Sequence, residues 1–119
     1  MQRIKLIIGF VFLFVVVVLL VIKLQADTYL CVAARYDGDE KTTINLEVVD
    51  YRYWFEFTDT AEIESDLLQE NYVNKQKLMI STTKEADYYS AEINGVMHFA
   101  VRNHQTKQNY YIGNCRLKP

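Results

Sequence analysis

The stretch ADYYSAEINGVMHFAVR, residues 86–102, decides how this chain folds. Asn94-Gly95 divides it into two runs, and both residues tolerate the positive φ of a type I′ turn. A two-residue link of that kind joins antiparallel strands. On the second arm Met97, Phe99 and Val101 share one face, and His98 points to the other.

Working outward, the same period of two recurs. Thr42 to Val49 sets Ile44, Leu46 and Val48 against Thr43, Asn45 and Glu47, the pattern of a half-buried strand. Asp50 ends that run. Tyr51, Tyr53, Phe55 and Phe57 form the next apolar face, opposed by Arg52, Trp54, Glu56 and Thr58, and the short link makes the two runs a hairpin. Further strands are predicted over Thr28 to Arg35, which ends in the acidic turn Tyr36-Asp37-Gly38-Asp39, over Tyr72 to Thr82, and over Asn109 to Arg116. Asp59 to Asn71 reads differently: Asp59 and Glu62 have capping-box spacing, and Ile63, Leu67 and Leu68 share a helical stripe, so a short helix is predicted there. Six or seven short strands predict an all-β domain, a small antiparallel β-barrel or sandwich. The mixed aromatic faces suit the tapered interior of a barrel.

Ahead of the strands, Leu6 to Ile22 runs for 17 residues without a polar side chain, between Lys5 and Lys23. That length is the lower limit for an N-terminal transmembrane helix. Arg3 and Lys5 precede it and no acidic residue does, which keeps the N-terminus cytoplasmic. The chain therefore divides into a signal anchor, 1–25, and an extracytoplasmic domain, 26–119. The expected address is the inner membrane, crossed once through residues 6–22, with the C-terminal domain in the periplasm. The alternative is cleavage after Ala26 and a soluble periplasmic protein; Leu24 is large for a cleavage site, and Lys23 falls inside the cleavage region.

The domain is near the size where one core becomes marginal. Its two cysteines, Cys31 and Cys115, open and close it, and in an oxidising compartment they are expected to form one disulfide. Closing so long a loop stabilises by about 4–5 kcal/mol in the chain-entropy account. All 15 acidic residues but only ten of the 13 basic ones fall in the domain, giving it a formal charge of about −5. Such a charge disfavours nucleic acid and anionic headgroups and is compatible with a basic protein partner.

Catalytic and metal signatures are missing from the sequence. His98 and His104 have neither HxH nor HExxH spacing, and no glycine-rich phosphate loop is present. Neither an enzyme nor a cofactor is expected. Aromatic content is more informative. The pairs Tyr88-Tyr89 and Tyr110-Tyr111 must straddle their strands, so at least one member of each points outward. Tyrosine is favoured at protein interfaces because it offers large, rigid contact area.

Tyr29-Leu30-Cys31 and Gly113-Asn114-Cys115-Arg116-Leu117 resemble the Tyr-x-Cys opening and Asn-Cys-x-Leu closing of the membrane-bound inhibitors of c-type lysozyme. The resemblance implies a small disulfide-closed β-barrel that inserts a loop into an enzyme cleft. The family's inhibitory Ser-Gly-x-x-Tyr loop corresponds to the stretch from Thr82 to Tyr88, which lacks the serine and glycine. Its Trp-x-Lys-Gly segment corresponds to Ala100 to Asn103, where Arg102 stands in for the lysine.

The expected function is that of a non-enzymatic periplasmic binding protein, an inhibitor or immunity protein against an envelope-directed hydrolase or toxin. The candidate contact residues are Tyr36, Asp37, Asp39, Glu40, Lys84, Tyr88 and Arg102, on or beside the loops 37–40, 81–87 and 103–108. One rival reading is an accessory subunit of an inner-membrane complex, packing its anchor through Gly9. Another is a carrier for a small apolar ligand.

Overall fold

The computed structural model describes residues 11–18 and 26–119. Residues 11–18 are helical. Among the described residues no helix is long and apolar enough to cross a membrane. The remainder of the expected anchor, including Gly9 and the flanking Arg3, Lys5 and Lys23, lies outside the described residues.

Residues 26–119 form one curled antiparallel sheet, a half-barrel of nine strands. They are β1 (Asp27–Asp37), β2 (Glu40–Asp50), β3 (Phe55–Thr58), β4 (Glu62–Glu64), β5 (Gln69–Val73), β6 (Gln76–Thr82), β7 (Ala86–Ile93), β8 (Val96–Asn103) and β9 (Gln108–Leu117). Their order is β4-β3-β2-β1-β9-β8-β7-β6-β5. Two meanders, β1 to β4 and β5 to β9, are thus joined at a central seam between the first and last strands.

The Asn94-Gly95 turn forms as read, with φ of 52° and 79°. Gly38, at φ 65°, turns β1 into β2 so that Asp37 pairs with Glu40. The alternation in β2 also holds: Leu46 and Val48 are buried while Thr43, Asn45 and Glu47 are exposed. Facing inward with them are Cys31 and Ala33 of β1, Phe55 and Phe57 of β3, Phe99 and Val101 of β8, and Tyr110 and Ile112 of β9. Phe55 meets Phe99 at 5.0 Å and Phe57 meets Tyr110 at 5.1 Å between ring centroids, so β3 packs across the hollow onto the opposite wall. Each buried Leu, Val, Ile or Phe among them contributes about 1.5–3 kcal/mol of transfer free energy.

The seam carries the disulfide. Cys31 and Cys115 are bonded, with Cα atoms 4.1 Å apart. β9 holds one extra residue here, because Val32 pairs with Gly113 but Leu30 with Arg116. Asn114, at φ 49°, takes up the bulge and brings Cys115 opposite Cys31.

The expected small antiparallel barrel forms in part: the sheet curls and β1 pairs with β9, but among the described residues no ladder joins β4 to β5 and no second sheet makes a sandwich. Three expectations need correction. The helix expected over 59–71 is absent: Ile63 pairs with Phe57 in β4, Leu68 is buried and Leu67 is 72% exposed, so the three do not share a face. Tertiary demand outweighs the helical stripe. The free edge of β3 needs partners, and Ser65 N donates to Phe55 O at 2.8 Å while Phe55 N donates to Ser65 Oγ at 2.9 Å. The strand read through Tyr51 to Thr58 begins only at Phe55. Tyr51 N donates to Trp54 O at 2.9 Å in a turn, and Tyr53 is 47% exposed instead of inward. Finally, Tyr72 to Thr82 is two strands, parted by Asn74 and Lys75 at φ 51° and 65°.

Candidate functional site

Because each strand within the two meanders reverses into its neighbour, their turns and loops fall at two ends. One end, the rim, holds the turn at 38–39 and the loops before β7 and before β9. The other, the root, holds Asp27, where β1 begins, the link after Asp50, and the hairpin tips at 74–75 and 94–95. The three loops expected to make contact all lie on the rim.

Hydrogen bonds join them into one surface. His104 N donates to Glu85 O at 2.8 Å, and His104 Nε2 lies 3.1 Å from Asp87 Oδ2. The other carboxylate oxygen of Asp87 is buried with no partner among the described residues. Gln108 Nε2 donates to Asp37 Oδ1 at 2.8 Å, linking the third loop to the acidic turn. Within the loops, Thr83 Oγ1 accepts from Ala86 N at 3.0 Å, and Asn103 Oδ1 accepts from Gln105 N and Thr106 N, each at 3.0 Å.

Below the rim lies a cluster the sequence reading missed. Arg35 Nη1 contacts Asp59 Oδ2 at 2.6 Å, Arg35 Nε contacts Asp37 Oδ2 at 3.1 Å, and Tyr110 Oη donates to Asp59 Oδ2 at 2.8 Å. Burial works to raise the Asp59 pKa, but the hydrogen bonds from Arg35 and Tyr110 outweigh it and hold the carboxyl below its usual range. Burial, then the bond to Asp59, pushes the Tyr110 phenol up. The signal was present: Arg35 shares the inward parity of Cys31 and Ala33, and a charge at an inner position needs a partner.

The individual candidates divide. Asp39, Glu40 and Lys84 are exposed on the rim and take part in no ion pair among the described residues. Asp37 is exposed but engaged by Arg35 and Gln108. Arg102 is exposed at the rim end of β8. Tyr36 is half-buried, its ring edge-on to Tyr111 at 5.7 Å on the outer face. Tyr88 lies on the inner wall, half-buried and edge-on to Phe55 at 6.4 Å, so it packs into the core and not onto the rim. Of the pair Tyr110-Tyr111, the first is buried and the second exposed.

Of the concavities among the described residues, two bear on binding. At the root a cavity of about 850 Å³ opens between β1, β2 and β6 to β8, lined by Asp27, Tyr29, Asp50, Met79, Glu92 and Met97 among others. On the outer face a groove of about 400 Å³ is bordered by Leu78, Tyr89, Ile93, His98, Ala100 and Tyr111. Among the described residues no group of His, Cys, Asp and Glu is arranged to hold a metal ion.

Compared with family models, curated proteins and solved structures, the chain matches none.

Proposed function

We propose that this chain is a membrane-tethered, non-enzymatic binding protein of the periplasm, an inhibitor or immunity protein that captures a basic envelope-directed hydrolase or toxin on its rim. The observation that carries this reading is the grouping of the three loops at the end opposite Asp27. With residues 6–22 in the membrane, the four steps from Lys23 to Asp27 reach at most about 14 Å, which holds the root near the bilayer. The 11 residues of β1 set the rim roughly 35 Å farther out. Loops presented in that way, on a rigid sheet and with Asp39 and Glu40 unpaired, suit insertion into a positively charged cleft. The likeness of the two ends to the inhibitors of c-type lysozyme supports the same mode.

The test is binding of the purified full chain, at micromolar concentration, to a panel of basic envelope hydrolases that includes a c-type lysozyme. Saturable binding that falls on Asp39→Asn/Glu40→Gln supports the proposal; no binding across the panel contradicts it. In that event the accessory-subunit reading leads, favoured by the apolar outer groove around Tyr89, His98 and Tyr111.

A further inference from the structure

The root cavity is independent of the rim and has chemistry of its own. Its floor is formed by Met79 and Met97, with Tyr29 on the β1 wall. Asp27 and Asp50 are register partners at the paired ends of β1 and β2, and Glu92 enters from β7. Burial raises the pKa of the Tyr29 phenol, and the charges of Asp27, Asp50 and Glu92 raise it further. Asp50 itself is raised by burial, against the bond it accepts from Arg52 N, with Asp27 adding to the rise.

The cavity also contains two cations, and both are engaged. Arg52 sits over the Tyr53 ring at 5.7 Å from its centroid, and Lys77 Nζ lies 3.8 Å from Glu70 Oε2. None of Asp27, Asp50 and Glu92 belongs to an ion pair among the described residues. Ser90, on the inner face and only 3% exposed, lines the same cavity.

The geometry points to a binding site for an ammonium group carried on a short apolar stem. The ammonium would lie among Asp27, Asp50 and Glu92 within reach of Ser90, and the stem against Tyr29, Met79 and Met97. An ammonium supplies three donors to acceptor-only carboxylates, and aromatic faces favour it further. Five charged residues in the lining make the cavity a poor host for the wholly apolar ligand of the carrier reading. The amine has two possible sources with the same chemistry: a free amine, or the ethanolamine headgroup of a lipid next to the root.

Trp54, the sole tryptophan, stacks on Tyr51 of the cavity wall at 4.7 Å and provides the signal. The full chain in maltoside micelles is titrated with butylammonium while Trp54 fluorescence is followed. Saturable binding is expected, weakened roughly tenfold by Asp50→Asn and by Glu92→Gln, a loss equal to one charge-assisted contact. Glu62→Gln, exposed on β4 and outside the cavity lining, is expected to bind as the parent does. Adding phosphatidylethanolamine separates the sources: a weaker apparent affinity for butylammonium assigns the headgroup, and an unchanged affinity assigns the free amine. The inference is overturned by an absence of saturation, by parental affinity in both cavity variants, or by equal binding of butyrate. Asp50→Asn and Glu92→Gln are tested separately so that misfolding of one leaves the other to decide.

Discussion

Tyr110 of β9 donates its hydroxyl to Asp59, the residue that follows β3, across 2.8 Å of the half-barrel's interior. Asp59 also receives Arg35 from β1, so one carboxylate ties three strands together below the rim. Tyr110→Phe keeps the ring packing on Phe57 and removes only the hydrogen bond. A loss of about 1–2 kcal/mol is expected in urea unfolding.

The same carboxylate sets an acid limb. Its folded pKa is lowered, so its stabilisation is fully present above the unfolded value near 3.9 and is lost as pH falls through the folded value. Partial solvent contact screens the pair and keeps the effect modest. Asp59→Asn is expected to lower the melting midpoint at neutral pH and to flatten its fall below about pH 4. Parallel midpoint-versus-pH curves for variant and parent would contradict this.

Ser65 extends the pairing of β3 with the chain beyond β4. Its hydroxyl is the acceptor for the buried Phe55 N–H. Ser65→Ala strands that donor and is expected to cost about 1–3 kcal/mol, read by chemical denaturation. Faster exchange of the Phe55 amide should accompany the loss.

Cys31→Ser is expected to cost several kcal/mol, in line with loss of a native disulfide that closes a loop of 84 residues. Thiol titration of the native protein should find no free cysteine. Two free thiols under oxidising conditions would undo the seam.

The central elements were legible because their signals are local. Asn94-Gly95 is a turn by its own backbone freedom, and Ile44, Leu46 and Val48 alternate regardless of their neighbours. Cys31 and Cys115 announced that the ends meet, and β1 and β9 are in fact paired. What failed depended on distant partners. Ile63 and Leu68 look helical until the bare edge of β3 recruits the chain beside it. Asn74 carried a turn signal, but Lys75 in the left-handed region has none in its side chain, so the break between β5 and β6 was hidden. The rim loops were named from the sequence, but their common end follows from strand order. Asp27 and Asp50 read as strand ends, and only the β1–β2 register sets them side by side at the cavity.

The account rests most heavily on the rim as a charged docking surface, and the salt dependence of association tests it most directly. With a basic hydrolase that the full chain binds, association rates are measured by stopped flow over a range of ionic strengths for the parent and for Asp39→Asn/Glu40→Gln. Asp37 is left intact because Arg35 and Gln108 hold it. The account predicts several-fold slower association of the variant at low salt and a flatter dependence on ionic strength, since exposed charges steer encounter over a Debye length of about 10 Å at 0.1 M. Equal rates for the two proteins at every ionic strength would contradict it.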